Sequence, residues 1–453
     1  MRPGLVVKLR PNGPWRIGPD SGARNRVDVI YHSDSLYSAV TLAMGRMGQR
    51  DEWLAATVGE PAPAVCFSSC FPFLNEIRLV VPPRTLWPPK ASSLTSGRVR
   101  WKSARFVPLD VVRAMLAGKP LDEDEWSVDG PSECLVPAGR GGPFRTSVRW
   151  SAAVDRLTGA SERHATACIE FRSGAGLWTI AGFRDEEAHA RWLEPVKAAF
   201  RLLADSGFGG ERSRGWGRSD TPEFIEGSLP EMILADAGGD RAAGDQGPVA
   251  SDLPDAGCRM PDADDRAAGD QGPVASDLPD AGCRMPDAGD RAAGNQVAPG
   301  HLPPDPEPEP AVGVEPPIPP ATVSAAVEAE PPLEPASGIW HPASEIAPDP
   351  EVPLAHRPRP PAPVWLLSLF TPAAADAVDW GRGNYGVLGR GGRIDSPAGS
   401  GELKKQLQMV VEGSVLFAEG VPSGSAPDVA PEGFAHPVFR AGFALAIPLP
   451  EGS

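Results

Sequence analysis

The chain has 453 residues, of which 50 are glycine and 54 proline, and its formal charge is −16. Nearly a quarter of the residues therefore fit poorly inside a helix or a central strand, which argues against one compact domain of this length. The charge has a local origin, because residues 236–362 contain 7 basic and 23 acidic residues whereas the rest of the chain has 36 of each.

Residues 1–235 show strand and helix patterns in alternation. Leu5–Leu9 predicts a short buried strand. Ser33 is the predicted N-cap of a helix, because apolar residues follow it at helical spacing. Val65–Phe73 and Ile77–Val81 predict a strand, a turn and a second strand.

The second half of this region repeats the pattern. Ala165–Phe171 predicts a strand, with Leu177–Ile180 as its hairpin partner, and a helix is expected from about residue 185 to 203, kinked or started by Pro195. One face of this helix is apolar and consists of Trp192, Val196, Ala199, Phe200 and Leu203. The order of elements predicts an α+β, ferredoxin-like module with insertions over residues 1–235.

Residues 236–362 form the predicted linker. They hold 26 of the prolines and a 25-residue unit that occurs twice, at Asp240–Asp264 and Asp265–Gly289. Because so little apolar surface is available to offset the entropy of ordering, this acidic segment is predicted to be disordered.

Residues 363–453 are predicted to form a second, smaller module. Val364–Phe370, Gln408–Phe417 and Phe443–Leu449 have strand patterns, which favours a β-rich or ferredoxin-like module. A module of about 90 residues buries little core by itself, so it is expected to pack against the first one.

The six cysteines form no CxxC pair with a matching histidine cluster, so no metal or cofactor is predicted. No secretory signal and no apolar run of about 18 residues is present, so membrane association is not expected. The predicted location is the cytoplasm, with reduced thiols.

The segment SGFGGERSRGWGR, at residues 206–218, carries the strongest chemical signal. Its glycines allow close approach of the backbone to a ligand, and Arg212, Arg214 and Arg218 offer guanidinium donors, a combination that suits phosphate oxygens. It lacks the GK[ST] of a P-loop and follows a helix, which excludes the dinucleotide fingerprint. Arg390 and Arg393 flank two glycines in a similar arrangement.

His32 stands at the start of the first predicted helix, beside Ser33 and Asp34. A histidine in this position is a candidate general acid or base, as in metal-independent ribonucleases. The alternative is structural: Ser33 or Asp34 caps the helix, and the histidine packs at its start.

Several motifs together resemble one family, the RAMP subunit of type III-A CRISPR interference complexes that holds the 5′ end of the guide RNA. The similar segments run in order along both folded parts: HSDSLYSAV, FSSCFPFLNEIRLVVPP, RFVPLDVV, DRLTG, FGGERSRGWGR, YGVLGRGGR, VVEGSVL and HPVFRAGFALAI. The glycine-rich segment alone marks the broader RAMP superfamily, whereas the combination with both C-terminal motifs is more specific. The acidic repeat linker departs from the family pattern.

The resemblance implies two RRM-like, ferredoxin-like RAMP modules joined by the linker, and a role in antiviral defence without catalysis. The implied partners are the repeat-derived 5′ handle of the guide RNA (crRNA), the large polymerase-type subunit and the first copy of the backbone subunit. The residues expected at the handle on this basis are His32, Ser33, Gly209, Gly210, Arg212, Ser213, Arg214, Gly215, Arg218, Arg390 and Arg393.

Three other functions stay open at this point. One is a repeat-processing endoribonuclease of the same superfamily, with His32 as general acid or base. Another is a scaffold whose Gly/Arg loops contact only proteins. The last is a RAMP subunit of another type III subtype.

Overall fold

The computed structural model describes residues 2–19, 22–89, 100–235, 360–396 and 399–450. The predicted linker and its repeats lie outside the described residues, except for its last three positions. The helices of the first module are α1 (Ser33–Arg46), α2 (Arg50–Thr57), α3 (Leu109–Leu116), α4 (Glu186–Ser206) and α5 (Glu231–Leu234). Its strands are β1 (Arg2–Leu9), β2 (Val65–Phe67), β3 (Phe71–Leu74), β4 (Ile77–Val80), β5 (Val107–Pro108), β6 (Trp126–Asp129), β7 (Cys134–Pro137), β8 (Phe144–Val154), β9 (Ser161–Phe171), β10 (Ala175–Phe183) and β11 (Glu223–Leu229).

The main sheet of the first module has the strand order β11-β1-β10-β3-β4-β5, and β2 also pairs with β10. The pairs β11–β1, β1–β10 and β10–β3 are all antiparallel. If β1, β3, β10 and β11 are numbered in chain order, their order across the sheet is 4-1-3-2, with α1 and α4 as the crossover helices. This is the arrangement of a split βαβ unit, so the first module has the predicted α+β architecture.

The helix α4 follows directly from its sequence. The Asp185 carboxylate caps it by accepting a hydrogen bond from the backbone N–H of Ala188 at 2.8 Å, and Pro195 lies inside the helix rather than at its start. The predicted apolar face is buried, which confirms that prediction. Gly207 ends the helix with φ 76°, and the glycine-rich segment leaves the sheet layer at this point.

The predicted hairpin between Ala165–Phe171 and Leu177–Ile180 is wrong. β9 pairs with β8 over eleven residues, whereas β10 lies in the main sheet between β1 and β3. The reason is burial: all nine residues of β10 are buried, as expected for a central strand, whereas most of β8 is exposed.

The second module contains strands and no helix within its described residues. Its strands are β12 (Ala362–Leu366), β13 (Val378–Asn384), β14 (Val387–Arg390), β15 (Arg393–Ser396), β16 (Gly399–Leu403), β17 (Leu407–Val410), β18 (Val415–Ala418), β19 (Gly424–Ser425), β20 (Gly442–Phe443) and β21 (Ala446–Pro448). Four of them form a sheet in the order β13-β18-β12-β21. The prediction of a β-rich second module therefore agrees with its described residues, and a second ferredoxin-like arrangement is not observed among them.

The two modules share one hydrophobic core. Trp365, Leu367 and Ile447 of the second module belong to the same buried cluster as β1, α1 and β10 of the first. The Trp365 indole N–H also donates to the carbonyl of Val81 at 3.2 Å. The predicted packing of the second module against the first is confirmed. In the part of the chain described, no helix is long and apolar enough to cross a membrane, and no group of three or more His, Cys, Asp or Glu side chains is placed to hold a metal ion.

Candidate nucleic-acid interface

The first turn of α1 contains a buried carboxylate that contacts two arginines of the second module. The Asp34 carboxylate accepts hydrogen bonds from Nε and Nη2 of Arg390, both at 3.1 Å, and from Nη1 of Arg440. All three side chains are buried. Burial raises the pKa of Asp34, but the two guanidinium groups outweigh it and hold this pKa below its ordinary value.

His32 makes a second buried contact between the modules. Its Nδ1 lies 2.8 Å from Oε1 of Glu412, in the turn between β17 and β18, and its Nε2 lies 3.3 Å from Oδ2 of Asp28. Burial lowers the pKa of His32, but the carboxylates of Glu412 and Asp28 outweigh it and raise this pKa to about 9. His32 is therefore an imidazolium ion at neutral pH, held between two carboxylates.

Ser33 does not cap α1 as predicted, because His32 occupies the N-cap position and the helix begins at Ser33. The Ser33 hydroxyl instead accepts a hydrogen bond from the backbone N–H of Leu369 at 3.0 Å. Its own N–H donates to the hydroxyl of Ser69 at 2.8 Å, and Ser69 in turn donates to Glu412. The start of α1 is thus bonded on several sides to the second module.

The glycine-rich segment after α4 is fixed by its buried aromatic residues. The Phe208 ring is fully buried and makes edge contacts with Trp15 and Tyr31, at centroid distances of 4.6 and 5.0 Å. Trp216 is also buried. These two rings therefore support the loop from below and are not exposed for stacking on a base.

The loop is held close to the segment around Arg16. The backbone N–H of Gly210 donates to the carbonyl of Arg16 at 2.8 Å, and a Cβ on Gly209 would lie 2.6 Å from the same oxygen. The Arg16 guanidinium is itself buried and donates to the carbonyls of Ala23, Arg24, Arg26 and Ala167. Beyond this anchor, Arg212, Ser213 and Arg214 form an exposed 3₁₀ turn.

A cavity of about 410 Å³ lies between this loop, the start of α1 and the second module. This volume is within the usual range of ligand sites, roughly 300–1,000 Å³. Its wall carries one carboxylate, Asp34, and five Lys and Arg side chains: Arg46, Arg212, Arg390, Lys404 and Arg440. Arg46, Arg212 and Lys404 have no carboxylate within ion-pair distance among the described residues. The cavity is therefore suited to an anion.

The structure brings some of the sequence-predicted residues together here and leaves others outside. His32, Gly209, Gly210, Arg212 and Arg390 line the cavity. Ser33 lies behind the wall, and the others, which are Ser213, Arg214, Gly215, Arg218 and Arg393, do not line it. Arg214 contacts Glu211 at 3.3 Å, and Arg393 donates to the carbonyl of Gly401. RNA binding by any of these residues stays a prediction.

The comparison with known families concerns the second module. Residues 362–449 match the family model described as the CRISPR Csm4 C-terminal domain. This segment is similar to the C-terminal domain of Csm4. The resemblance predicted from the sequence is confirmed, and the chain is Csm4-like. No curated protein sequence matches the chain significantly.

Several solved structures are similar to the chain at low identity. A Csm1–Csm4 cassette in complex with cA4 is 14% identical, with 99% of this chain and 100% of that chain covered and a TM-score of 0.44. A Csm3–Csm4 subcomplex of the type III-A CRISPR-Cas interference complex is 11% identical, with 98% and 99% covered and a TM-score of 0.48. A type III-B Cmr-beta complex bound to cognate target RNA covers 50% of this chain, at 8% identity and a TM-score of 0.28. The fold assignment rests on the strand order given above.

The second module supplies three of the five cationic side chains of the cavity, and of these three the sequence identified only Arg390. Arg440 lies in HPVFRAGFALAI, a segment that resembles the family but in which the sequence predicted no site residue. Lys404 and Arg46 stand in no motif. Arg46 lies in the last turn of α1, where the helix dipole favours a basic residue. Nothing in the local sequence distinguishes Lys404 from its neighbour Lys405.

Proposed function

We propose that this Csm4-like chain is a non-catalytic subunit of a type III-A CRISPR interference complex and that it grips the 5′ handle of the guide RNA in the basic cavity. The observation that carries the proposal is the meeting, at one cavity, of the glycine-rich loop and a Csm4 C-terminal domain, with three cationic side chains that have no carboxylate partner in the described chain. Guanidinium and ammonium groups without protein partners suit the phosphates of a single strand.

The partners that we propose are a Csm1-type large subunit and a Csm3-type backbone subunit. The proposed location is the cytoplasm, where the complex meets its RNA. Both modules belong to the proposal, the first as a ferredoxin-like RAMP module and the second as a β-rich module that packs against it.

The environment of His32 supports a role without catalysis. A general base needs a neutral imidazole that reaches its substrate, whereas His32 is 3% exposed and protonated between two carboxylates. Its contacts suit a structural ion pair. Incubation of the purified protein with repeat RNA is therefore expected to give no cleavage products, and specific cleavage that is lost in His32→Ala would favour the endoribonuclease alternative.

The binding site is tested by copurification. The chain is expressed with its genomic neighbours and isolated through a tag, and the bound RNA is sequenced. The variant Arg46→Ala/Arg212→Ala removes two cavity cations that have no carboxylate partner in the described structure, and it is expected to weaken RNA binding roughly a hundredfold. The control is Arg191→Ala/Arg201→Ala, which removes the same charge from α4 outside the cavity.

Short RNAs with a common 5′ end that are depleted in the cavity variant and not in the control are the expected result. Equal RNA recovery from both variants would place the handle elsewhere. Assembled partner subunits without RNA, from the native chain, would favour the protein-only scaffold.

A further inference from the structure

The second-module side of the cavity carries more cationic side chains than carboxylates among the described residues of its wall. Arg390, Lys404 and Arg440 converge there, and Asp34 is the single carboxylate among the described residues of the wall. Both guanidinium groups bond to Asp34, and the Lys404 ammonium has no carboxylate within ion-pair distance among the described residues. Burial lowers the pKa of Lys404, and Arg440 and Arg390 lower it further, whereas Asp34 offsets only part of this effect. Such an imbalance is relieved by a bound anion.

Hydrogen-bond donors are also left over at this point. Nε of Arg440 is buried and has no hydrogen-bond partner, although its two Nη atoms bond to Asp34 and to the carbonyl of Gly391. Buried donors are nearly always paired, so the unpaired guanidinium N–H of Arg440 indicates a missing acceptor. A phosphate has several anionic oxygens that suit this donor, and the Lys404 ammonium lines the same cavity.

We propose that Lys404 and Arg440 form a phosphate subsite on the second-module wall of the cavity, opposite the glycine-rich loop. The subsite takes one phosphate of the bound RNA strand, an assignment that rests on the proposed function. The strand is then held from both sides, by Arg212 and the loop backbone on one and by Lys404 and Arg440 on the other.

The same charge imbalance predicts a distinctive effect on the free protein. Because Lys404 has no carboxylate within ion-pair distance in the described part of the chain and is repelled by Arg390 and Arg440, we expect that removing its charge does not destabilise the RNA-free fold. Lys404→Met keeps the length of the side chain and removes its charge. We expect this variant to melt at or above the temperature of the native chain while it binds RNA less well.

The chain offers a matched control in the next residue. Lys405 is exposed, does not line the cavity, and carries the same charge. Full-length native protein, Lys404→Met, Lys404→Arg and Lys405→Met are titrated against a fluorescein-labelled single-stranded RNA of random sequence at several salt concentrations. In a second arm, inorganic phosphate is added to each protein, and the melting temperature is measured.

The expected result is a roughly tenfold loss of RNA affinity in Lys404→Met, with recovery in Lys404→Arg and no change in Lys405→Met. The slope of log affinity against log salt is expected to become shallower by about 0.7, the value for one phosphate contact of a single strand. Equal affinities and slopes for Lys404→Met and Lys405→Met would overturn the subsite.

The phosphate arm separates failure of the subsite from failure of the proposed function. If no variant or native protein binds RNA, but phosphate raises the melting temperature of the native chain and not of Lys404→Met, the subsite stands and takes free phosphate, while the RNA-binding proposal fails. If the native chain responds to neither probe, both proposals fail.

Discussion

The Arg390 guanidinium donates two hydrogen bonds of 3.1 Å to the Asp34 carboxylate, although 356 positions separate the two residues in the chain. Arg440 bonds to the same carboxylate from the other side. With His32 and Glu412, these residues bring four of the family-like motifs, HSDSLYSAV, YGVLGRGGR, VVEGSVL and HPVFRAGFALAI, to one buried junction. The motifs thus share a structural role in joining the modules, apart from any contact with RNA.

Asp34→Asn is expected to destabilise the fold strongly. The substitution keeps the shape of the side chain but leaves two buried guanidinium groups without a counter-charge, which typically costs about 3–5 kcal/mol. Urea denaturation of the native chain and the variant measures the difference. Asp51→Asn is the control, because Asp51 is exposed and pairs with the exposed Arg50. Equal unfolding midpoints for the two variants would show that the junction contributes little.

Two glycines of the loop are expected to respond differently to alanine. Gly215 and Gly217 both have positive φ, 79° and 80°, so alanine strains the backbone at either position by about 1–2 kcal/mol. At Gly217 the added Cβ would also overlap the carbonyl oxygen of Phe208, whereas at Gly215 nothing lies within 4 Å. Gly217→Ala should therefore be the more destabilising substitution in thermal melts, and the opposite order would contradict the loop geometry.

Phe208→Ala is expected to cost about 3–5 kcal/mol, because the ring is fully buried against Trp15 and Tyr31. Leu403→Ala should change stability by no more than about 0.5 kcal/mol, since Leu403 is 64% exposed. Chemical denaturation compares the two. A small effect at Phe208 would contradict its role as the buried support of the loop.

The stability of the fold is expected to decline on the alkaline side. The folded-state pKa of His32 is raised to about 9 from an ordinary value of 6.5. Its contribution is therefore complete below pH 6.5 and is lost as the pH rises through 9, a loss of about 3 kcal/mol. Unfolding free energies between pH 6 and pH 10 test this.

The His32→Gln variant should be less stable at pH 6 and should lack most of this alkaline decline. His164→Gln is the control, because His164 lies on β9 away from Asp28 and Glu412. A native profile that stays flat across this range would contradict the ion-pair assignment of His32.

The sequence predicted the elements whose causes are local. The helix α4 was predicted because its cap and its apolar spacing are both written in consecutive residues. The hairpin of β8 and β9 was missed, because most of β8 is exposed and lacks the apolar run by which a buried strand is recognised. The local pattern also predicted Ser33 as a cap, whereas its hydroxyl accepts a hydrogen bond from the backbone N–H of Leu369 in the second module.

The candidate site was predicted only on one side. The glycine-rich loop is recognised from its composition, whereas Lys404 and Arg440 are recognised as site residues only from the other residues that line the folded cavity. The carboxylate that Arg440 contacts, that of Asp34, lies 406 positions earlier in the chain, and no local pattern encodes that pairing. Charge balance within a cavity is a property of the folded chain alone.

The contact between Asp34 and Arg390 can form only late in synthesis, because the two residues lie far apart in the chain. Translation at roughly 5–20 residues per second places about 20 to 70 s between these two residues at the ribosome. For most of that interval the start of α1 is outside the ribosome without its guanidinium partners. The core residues of the first module that later contact Trp365 are exposed to solvent during this time. A chain that terminates before residue 365 therefore leaves part of the shared core uncovered, and exposed apolar surface of this kind favours aggregation.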